Sequence, residues 1–549
     1  MKKILINIIL ILACGTGYAD THYVAQGGQT PAGTYTSWAT AASNIQDAIS
    51  VATTVGDFVL VSNGVYQTGG IANCPASYLL TNRVAITNQI TVRSANNDPI
   101  NTIIKGAAGS GTNGCGGAAV RCVYMVANSS LIGFTLTNGH TMTNSIGSHW
   151  SHHDLNGGGV LLNQGGTISN CVLAGNAALE FGGGAYLYAG GTMNNCTLAG
   201  NMVNADNTGY IQVASVPTTA NGNGGGALIY YTGTMNYCMV SNNTAYTGGG
   251  AGGAACGGPG AMIYNCTFAG NTGTYGGGGI SGGSIFNNCV VSNNTSGYGG
   301  GMYFSGTASN CTIVGNTGTC GGGVYVGYFC TYINCAIIGN TGGNGGGIGA
   351  ASGMFDHCKV LNNSGQNGGG IYTTGGGTGA DKVMMHNCLL ASNTATGDGG
   401  GAWLTHCAVR PNLTFTNCTI AGNTATGNGG GVYVDGTVIT GNVNNCIVWG
   451  NVNNGDSNIY STAPNCTFLY TCSGPAQSGE GNTGDNPLFV DANSGNYRLT
   501  SGSPCVNAGT NQAWMTNAVD MDGRMRIRYD RVDMGAYECL YSGTIYSVW

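Results

Sequence analysis

The sequence predicts an all-β protein, a parallel β-helix (a solenoid) with an N-terminal cap helix and a C-terminal module. Three observations predict it. A unit typified by Asn417 to Val434, NCTIAGNTATGNGGGVYV, recurs with three fixed marks: Asn-Cys, then Gly-Asn or Asn-Asn, then Gly-Gly-Gly. Cys418 and Ile420 share one parity and Thr419 the other, and Val432 and Val434 repeat this strand-like alternation. Glycine numbers 102 of 549 residues against 10 prolines, which suits short strands with tight corners and excludes collagen. A unit too small to bury its own core must stack on its copies.

The first mark builds a ladder: Cys171, Cys196, Cys238, Cys266, Cys289, Cys311, Cys335, Cys358, Cys388, Cys418, Cys446 and Cys466. Asn precedes each, except where Tyr237 and His357 replace it. Stacked rungs place such residues about 4.8 Å apart. That exceeds the roughly 3.8 Å between Cβ atoms of a disulfide, so the ladder reads as buried thiols acting as small hydrophobes. Disulfides are expected instead among Cys115, Cys122, Cys472, Cys505 and Cys539. Glycine and asparagine suit corners of positive φ, and stacked asparagines can bond amide to amide. Rival solenoids fit less well. Leucine-rich repeats need an absent L-x-x-L-x-L frame, and calcium-binding RTX repeats need aspartate where residues 427–431 read Gly-Asn-Gly-Gly-Gly.

Residues 1–19 hold two lysines, the apolar run Ile4–Ala13 and a small-residue exit at Gly17-Tyr18-Ala19, the pattern of a secretory signal peptide. Ile11-Leu12-Ala13-Cys14 also matches a lipoprotein box, in which Cys14 would carry the lipid. The mature chain is expected outside the cytoplasm, secreted or at a bacterial cell surface, with no transmembrane segment. Residues 20–156 form the N-terminal cap and first turns. Ser43 to Ile49 reads there as a capped short helix with Ile45, Ala48 and Ile49 on one side. Strands are expected at Phe58–Val61, Ile90–Arg93 and Thr102–Ile104. Residues 157–470 are the repeats. Residues 471–549 collect Arg498, Arg524, Arg526, Arg528 and Arg531 with eight acids, and are expected to close the coil.

That last segment resembles a known module. Asn486-Pro487-Leu488-Phe489-Val490-Asp491, Tyr497-Arg498-Leu499, Ser503 to Gly509, Asp520-Met521-Asp522-Gly523-Arg524 and Val532 to Glu538 together resemble the choice-of-anchor Q module. Such modules end secreted bacterial right-handed β-helix proteins. Tyr35 to Ala48 is similar to the cap of the same pectate-lyase-like group, and the glycine-rich repeats are similar to polymorphic outer-membrane adhesins. The resemblance implies a right-handed coil and an envelope setting, and supplies no reaction.

Charge narrows the function. The balance is 14 − 20 = −6 with 6% charged residues, so no basic stripe suits nucleic acid. The favoured function is adhesion or glycan binding without catalysis. The alternatives are a polysaccharide lyase or glycoside hydrolase, and a structural surface fibre. Partners are expected among envelope components or extracellular glycan, with self-association left open and no cofactor. An enzyme would need clustered carboxylates and a base. The best mixed group is Asp356 and Lys359 with Asp381 one rung on, for which solvated loop charge is the plainer reading. His149, His152, His153 and Asp154 hold potential metal-ligand types, as do Asp520 and Asp522. The plainer readings are a polar insertion and internal pairing with Arg524 to Arg531. An aromatic stripe stands out: Tyr186, Tyr303, Tyr325, Tyr372, Trp403 and Tyr433 lie at outward parity, fourteen or fifteen residues after a ladder cysteine. Outward rings one rung apart form either a platform for sugar rings or cross-rung packing that stabilises the sheet.

Overall fold

Each of the three marks turns a corner. In the unit of Cys418 the chain runs Asn412–Thr416, Thr419–Ala421, Thr424–Ala425 and Val432–Val434. Between these strands it turns at Asn417 (φ 52°), Gly422 (φ 63°) and Gly429 (φ 64°). Only residues that tolerate left-handed backbone fit such corners, which is why Asn and Gly recur there. The other two members of the triple glycine answer to space. A Cβ on Gly300 would stand 2.3 Å from the Thr317 carbonyl, and one on Gly301 would stand 2.7 Å from the Gly323 carbonyl and 2.9 Å from Asn316 Nδ2.

The computed structural model describes residues 19–76, 78–143, 153–203, 224–246, 251–327, 330–350, 352–373, 382–404, 412–436, 440–455, 458–528 and 530–540. Stacked strands form three sheets: sheet A of 28 strands, with two strands per rung, sheet B of 15 and sheet C of 10. Pairing is parallel and residue-for-residue, as in Thr419↔Ile447 and Ile420↔Val448. This is a parallel β-helix, wound in the right-handed sense that parallel crossovers take. Inside it, Phe286, Phe304, Tyr332 and Phe355 pack ring on ring, with successive centroids 5.1, 5.8 and 5.1 Å apart. Helix α1 (Ile45–Val51) covers the first rung. Asn44 caps it by accepting from the Asp47 N–H, and Ile45, Ala48 and Ile49 join Val24, Val59 and Val61 in the core. The signal-like residues 1–18, Cys14 included, lie outside the described residues. Among the described residues no helix is long and apolar enough to cross a membrane.

A second ladder, one strand beyond the cysteines, consists of buried asparagines from Asn176 to Asn458. In a typical step Asn316 donates Nδ2–H to Asn340 Oδ1 at 2.9 Å and to the Val291 carbonyl at 2.9 Å, while its backbone N–H also meets Asn340 Oδ1 at 2.9 Å. Every amide group in the step is thereby satisfied, which makes a polar column tolerable in a dry core.

The cysteine ladder is buried and its thiols are free, and burial pushes the Cys171 thiol up to about 12. It ends one rung earlier than the Asn-Cys mark suggests. Cys466 pairs with Gly441 on sheet A, and Thr471 takes the ladder position above Cys446, after a Tyr470 corner at φ 48°. Thr471 copies the cysteines' contacts, donating its hydroxyl to the Leu469 and Val443 carbonyls at 3.1 and 3.0 Å. The expected disulfides are also corrected: Cys115, Cys122, Cys472, Cys505 and Cys539 are free. Cys122, Cys472 and Cys539 donate to the carbonyls of Thr137, Asp485 and Leu499 at 3.2, 3.2 and 3.4 Å.

Residues 471–485 finish the last rung, but the module beyond lies along the side of the coil rather than over its end. Tyr497, Ala536 and Tyr537 cover Leu389, Ala391 and Ala421 on the outward face of sheet B, and Leu499, Cys505 and Met534 cover Ile447.

Candidate functional site

The stripe residues occupy one register column on the first strand of each sheet-A rung. Tyr303↔Tyr325↔Gly349↔Tyr372↔Trp403↔Tyr433↔Tyr460 pair in sequence. Their alignment follows from the corners, since equal offsets between αL turns keep rungs in register. Exposure is less than a free platform requires: Tyr303, Tyr325, Tyr372, Trp403 and Tyr433 are half-buried, and Tyr460 is 38% exposed. The rings interlock. Tyr303 stacks on Tyr325 at 5.5 Å and 13°, Trp403 meets Tyr372 and Tyr433 edge-on at 5.1 and 5.6 Å, and Tyr433 lies parallel to Tyr460 at 5.4 Å and 2°.

Tyr186 shares the column but not the surface. It is 1% exposed, beneath Phe181, Tyr188 and the His153 ring. The segment carrying His153 and Asp154 forms that cover. Asp154 accepts from the backbone N–H groups of Leu79 and Leu80, at 3.1 and 2.9 Å, and buried Arg121 donates to Asn82 Oδ1 and to the Asn156 and Gly157 carbonyls. These groups hold loops together, and His149 and His152 lie outside the described residues. Glu180 sits beside Tyr186, and burial raises its carboxyl to about 7.

Two further rings extend the column around the glycine corner. Tyr275 and Tyr298, 58% and 39% exposed, stack at 6.3 Å, and Tyr298 meets Tyr325 at 5.2 Å. The signal for them was an aromatic residue directly before the glycine run in successive units. Tyr460 keeps the cysteine offset, standing as far after Cys446 as Tyr303 stands after Cys289, but fell outside the stripe because its rung lacks the triple glycine. Two carboxylates flank the upper rings. Burial raises the Tyr433 hydroxyl's pKa, and the nearby Asp435 and Asp398 carboxylates add to the rise.

The Asp356 group is not assembled. Asp356 lies on sheet A, 3.0 Å from its neighbour His357 and accepting from Asn387 Nδ2 at 3.1 Å, whereas Lys359 starts a strand of sheet B around the corner. Asp381 lies outside the described residues. His357 also faces the Val519 carbonyl at 3.0 Å, so this group serves the seam with the C-terminal module. Asp520 accepts from the N–H groups of Asp522, Arg524 and Glu538 at 2.9, 2.7 and 2.7 Å. Asp522 pairs with Arg498 at 2.5 Å and Arg524 at 3.2 Å. Among the described residues no three His, Cys, Asp or Glu side chains gather as a metal site would.

No family model and no curated protein matches this chain. Among solved structures it is similar to the crystal structure of pectate lyase Pel9A, at 12% identity and a TM-score of 0.23, over 95% of this chain and 97% of that one.

Proposed function

We propose that the chain is an exported, non-catalytic β-helix that binds extracellular or envelope glycan along the ring column of sheet A. The observation that carries this reading is the register column itself, in which rings from Tyr303 to Tyr460 stand on successive rungs except at Gly349. Sugar rings pack apolar faces on such aromatic edges and faces, each contributing about 1 kcal/mol. The cross-β scaffold fixes their spacing at about 4.8 Å per rung, so little order is lost on binding. The laterally docked module, which resembles choice-of-anchor Q, would hold the rod at the envelope.

Retention on immobilised glycans tests the reading. Tyr372→Ala with Trp403→Ala should weaken retention about tenfold or more, from two ring contributions, without a matching loss of stability. Unchanged retention together with a lower melting temperature would show that the rings serve the sheet alone.

A further inference from the structure

The carboxylates beside Tyr433 narrow the charge of the ligand. Asp435 directly follows the strand Val432–Val434, shares outward parity with Tyr433 and is half-buried. Asp398 approaches from the other end, in the turn before Gly399, where its Oδ1 accepts from the Asn428 N–H one rung on at 2.6 Å. The rings of Trp403, Tyr433 and Tyr460 thus run between two half-buried carboxylates. Between residues 157 and 470 the sequence holds more than two acidic residues for every basic one, its only lysines and arginines being Lys359 on sheet B, Lys382 at the start of a sheet-A strand, and Arg410, which lies outside the described residues. An acidic polymer would meet like charge here, and a neutral one would leave the charge of the two carboxylates unanswered.

Resting on the glycan-binding reading, we propose that this end of the column takes a cationic amino-sugar polymer, with sugar faces on Trp403, Tyr433 and Tyr460 and ammonium groups at Asp398 and Asp435. An ammonium donates charge-assisted hydrogen bonds to carboxylates and is drawn to ring faces, so one residue type satisfies both features. Register fixes the direction, and the polymer lies along the coil axis across successive rungs.

The test compares chitosan oligomers, their fully N-acetylated counterparts and polygalacturonate at mildly acidic pH, where the free amines are charged. Chitosan should bind best and weaken as salt rises, and polygalacturonate should not bind. Asp398→Asn with Asp435→Asn should cut chitosan affinity on the order of fivefold and flatten its salt dependence, as expected for half-exposed ion pairs. The amide introduced by Asp398→Asn keeps an acceptor for the Asn428 N–H, so the turn is preserved. Equal binding of the acetylated oligomer, indifference to the double substitution, or equal competition by polylysine would each overturn the amino-sugar assignment while leaving glycan binding in place. No retention of any glycan would overturn both.

Discussion

Arg526, in the C-terminal module, donates its Nε–H to the Asn387 side-chain oxygen 2.9 Å away, at a corner of the coil 139 residues earlier. Corners of four successive rungs meet the module in the same way. His357 faces the Val519 carbonyl, Asn417 donates to the Asp533 carbonyl at 3.2 Å, and Asn445 exchanges two bonds with the Thr510 backbone at 2.9 and 2.8 Å. On earlier rungs the same corner amides bond to each other, as in Asn288 to Asn265 at 2.7 Å and Asn334 to Asn310 at 2.8 Å. The module has taken over part of an amide column.

Removing the Arg526 guanidinium should therefore release the module. It is fully buried and donates to Glu538 Oε1 and to the Gly535 and Ala536 carbonyls at 3.0, 3.0 and 3.1 Å. Arg526→Met should cost about 3 kcal/mol or more, because the buried oxygens of Asn387, Gly535 and Ala536 lose their donor and each orphaned group costs about 1–3 kcal/mol. Hydrogen exchange should quicken across residues 486–540 and stay slow in the ladders. Uniform quickening along the coil would refute a separable module.

The module should also loosen as pH rises. Burial raises the Glu538 carboxyl from its ordinary 4.5 to about 8 despite Arg526 beside it, and Asp356 raises His357. Between those limits the folded chain holds protons that the unfolded chain releases, so stability falls with rising pH. Asp522, lowered by Arg498, acts in the opposite sense only at the acid end. Melts between about pH 5 and pH 9 should show this decline, and Glu538→Gln should flatten it. A melting temperature that climbs with pH would contradict the assignment.

The asparagine ladder should be sensitive at any interior step. Asn340→Ala deprives the Asn316 amides of their acceptor and the Ile313 carbonyl of a donor. The expected loss is about 3 kcal/mol by denaturant titration, since each orphaned buried group costs about 1–3 kcal/mol. A loss below about 1 kcal/mol would mean that water enters and repairs the column.

Ladder thiols should resist alkylation until the chain unfolds, because burial keeps the reagent from the sulfur. Among the described cysteines, the partly exposed Cys320 and Cys466 should label first. Mass mapping that finds Cys311 bridged to Cys335 would refute the stacked-thiol geometry.

Most of the coil was legible because its marks are steric necessities. A corner at φ near +55° or +60° admits few residues, so Asn-Cys, Gly-Asn and Gly-Gly-Gly announce the turns directly. Where chemistry substitutes without changing shape, the mark fails. Thr471 fills a cysteine's place with the same two carbonyl partners, while Cys466 follows Asn465 in the wrong strand. The burial of Tyr186 was hidden because the neighbours Phe181 and Tyr188 close over it only together with the His153 ring of an earlier segment. Side-on docking of the module did leave a trace. Leu389, Ile447 and Trp449 are large apolar residues at outward parity, although the column of Leu389 and Ile447 also carries Met239 and Val290, which stay exposed on earlier rungs.

The asparagine ladder also makes rod length a free variable. Every step presents the same amide hydrogen upward and the same oxygen downward, so no rung is uniquely matched to its neighbours. Deleting the 22 residues that carry the chain from Asn294 to Asn316 would bring Asn271 against Asn316 with an identical junction. Unequal recombination between such units can lengthen or shorten the rod by whole rungs without opening an unsatisfied seam. The amide junction itself then places no ceiling on the number of units.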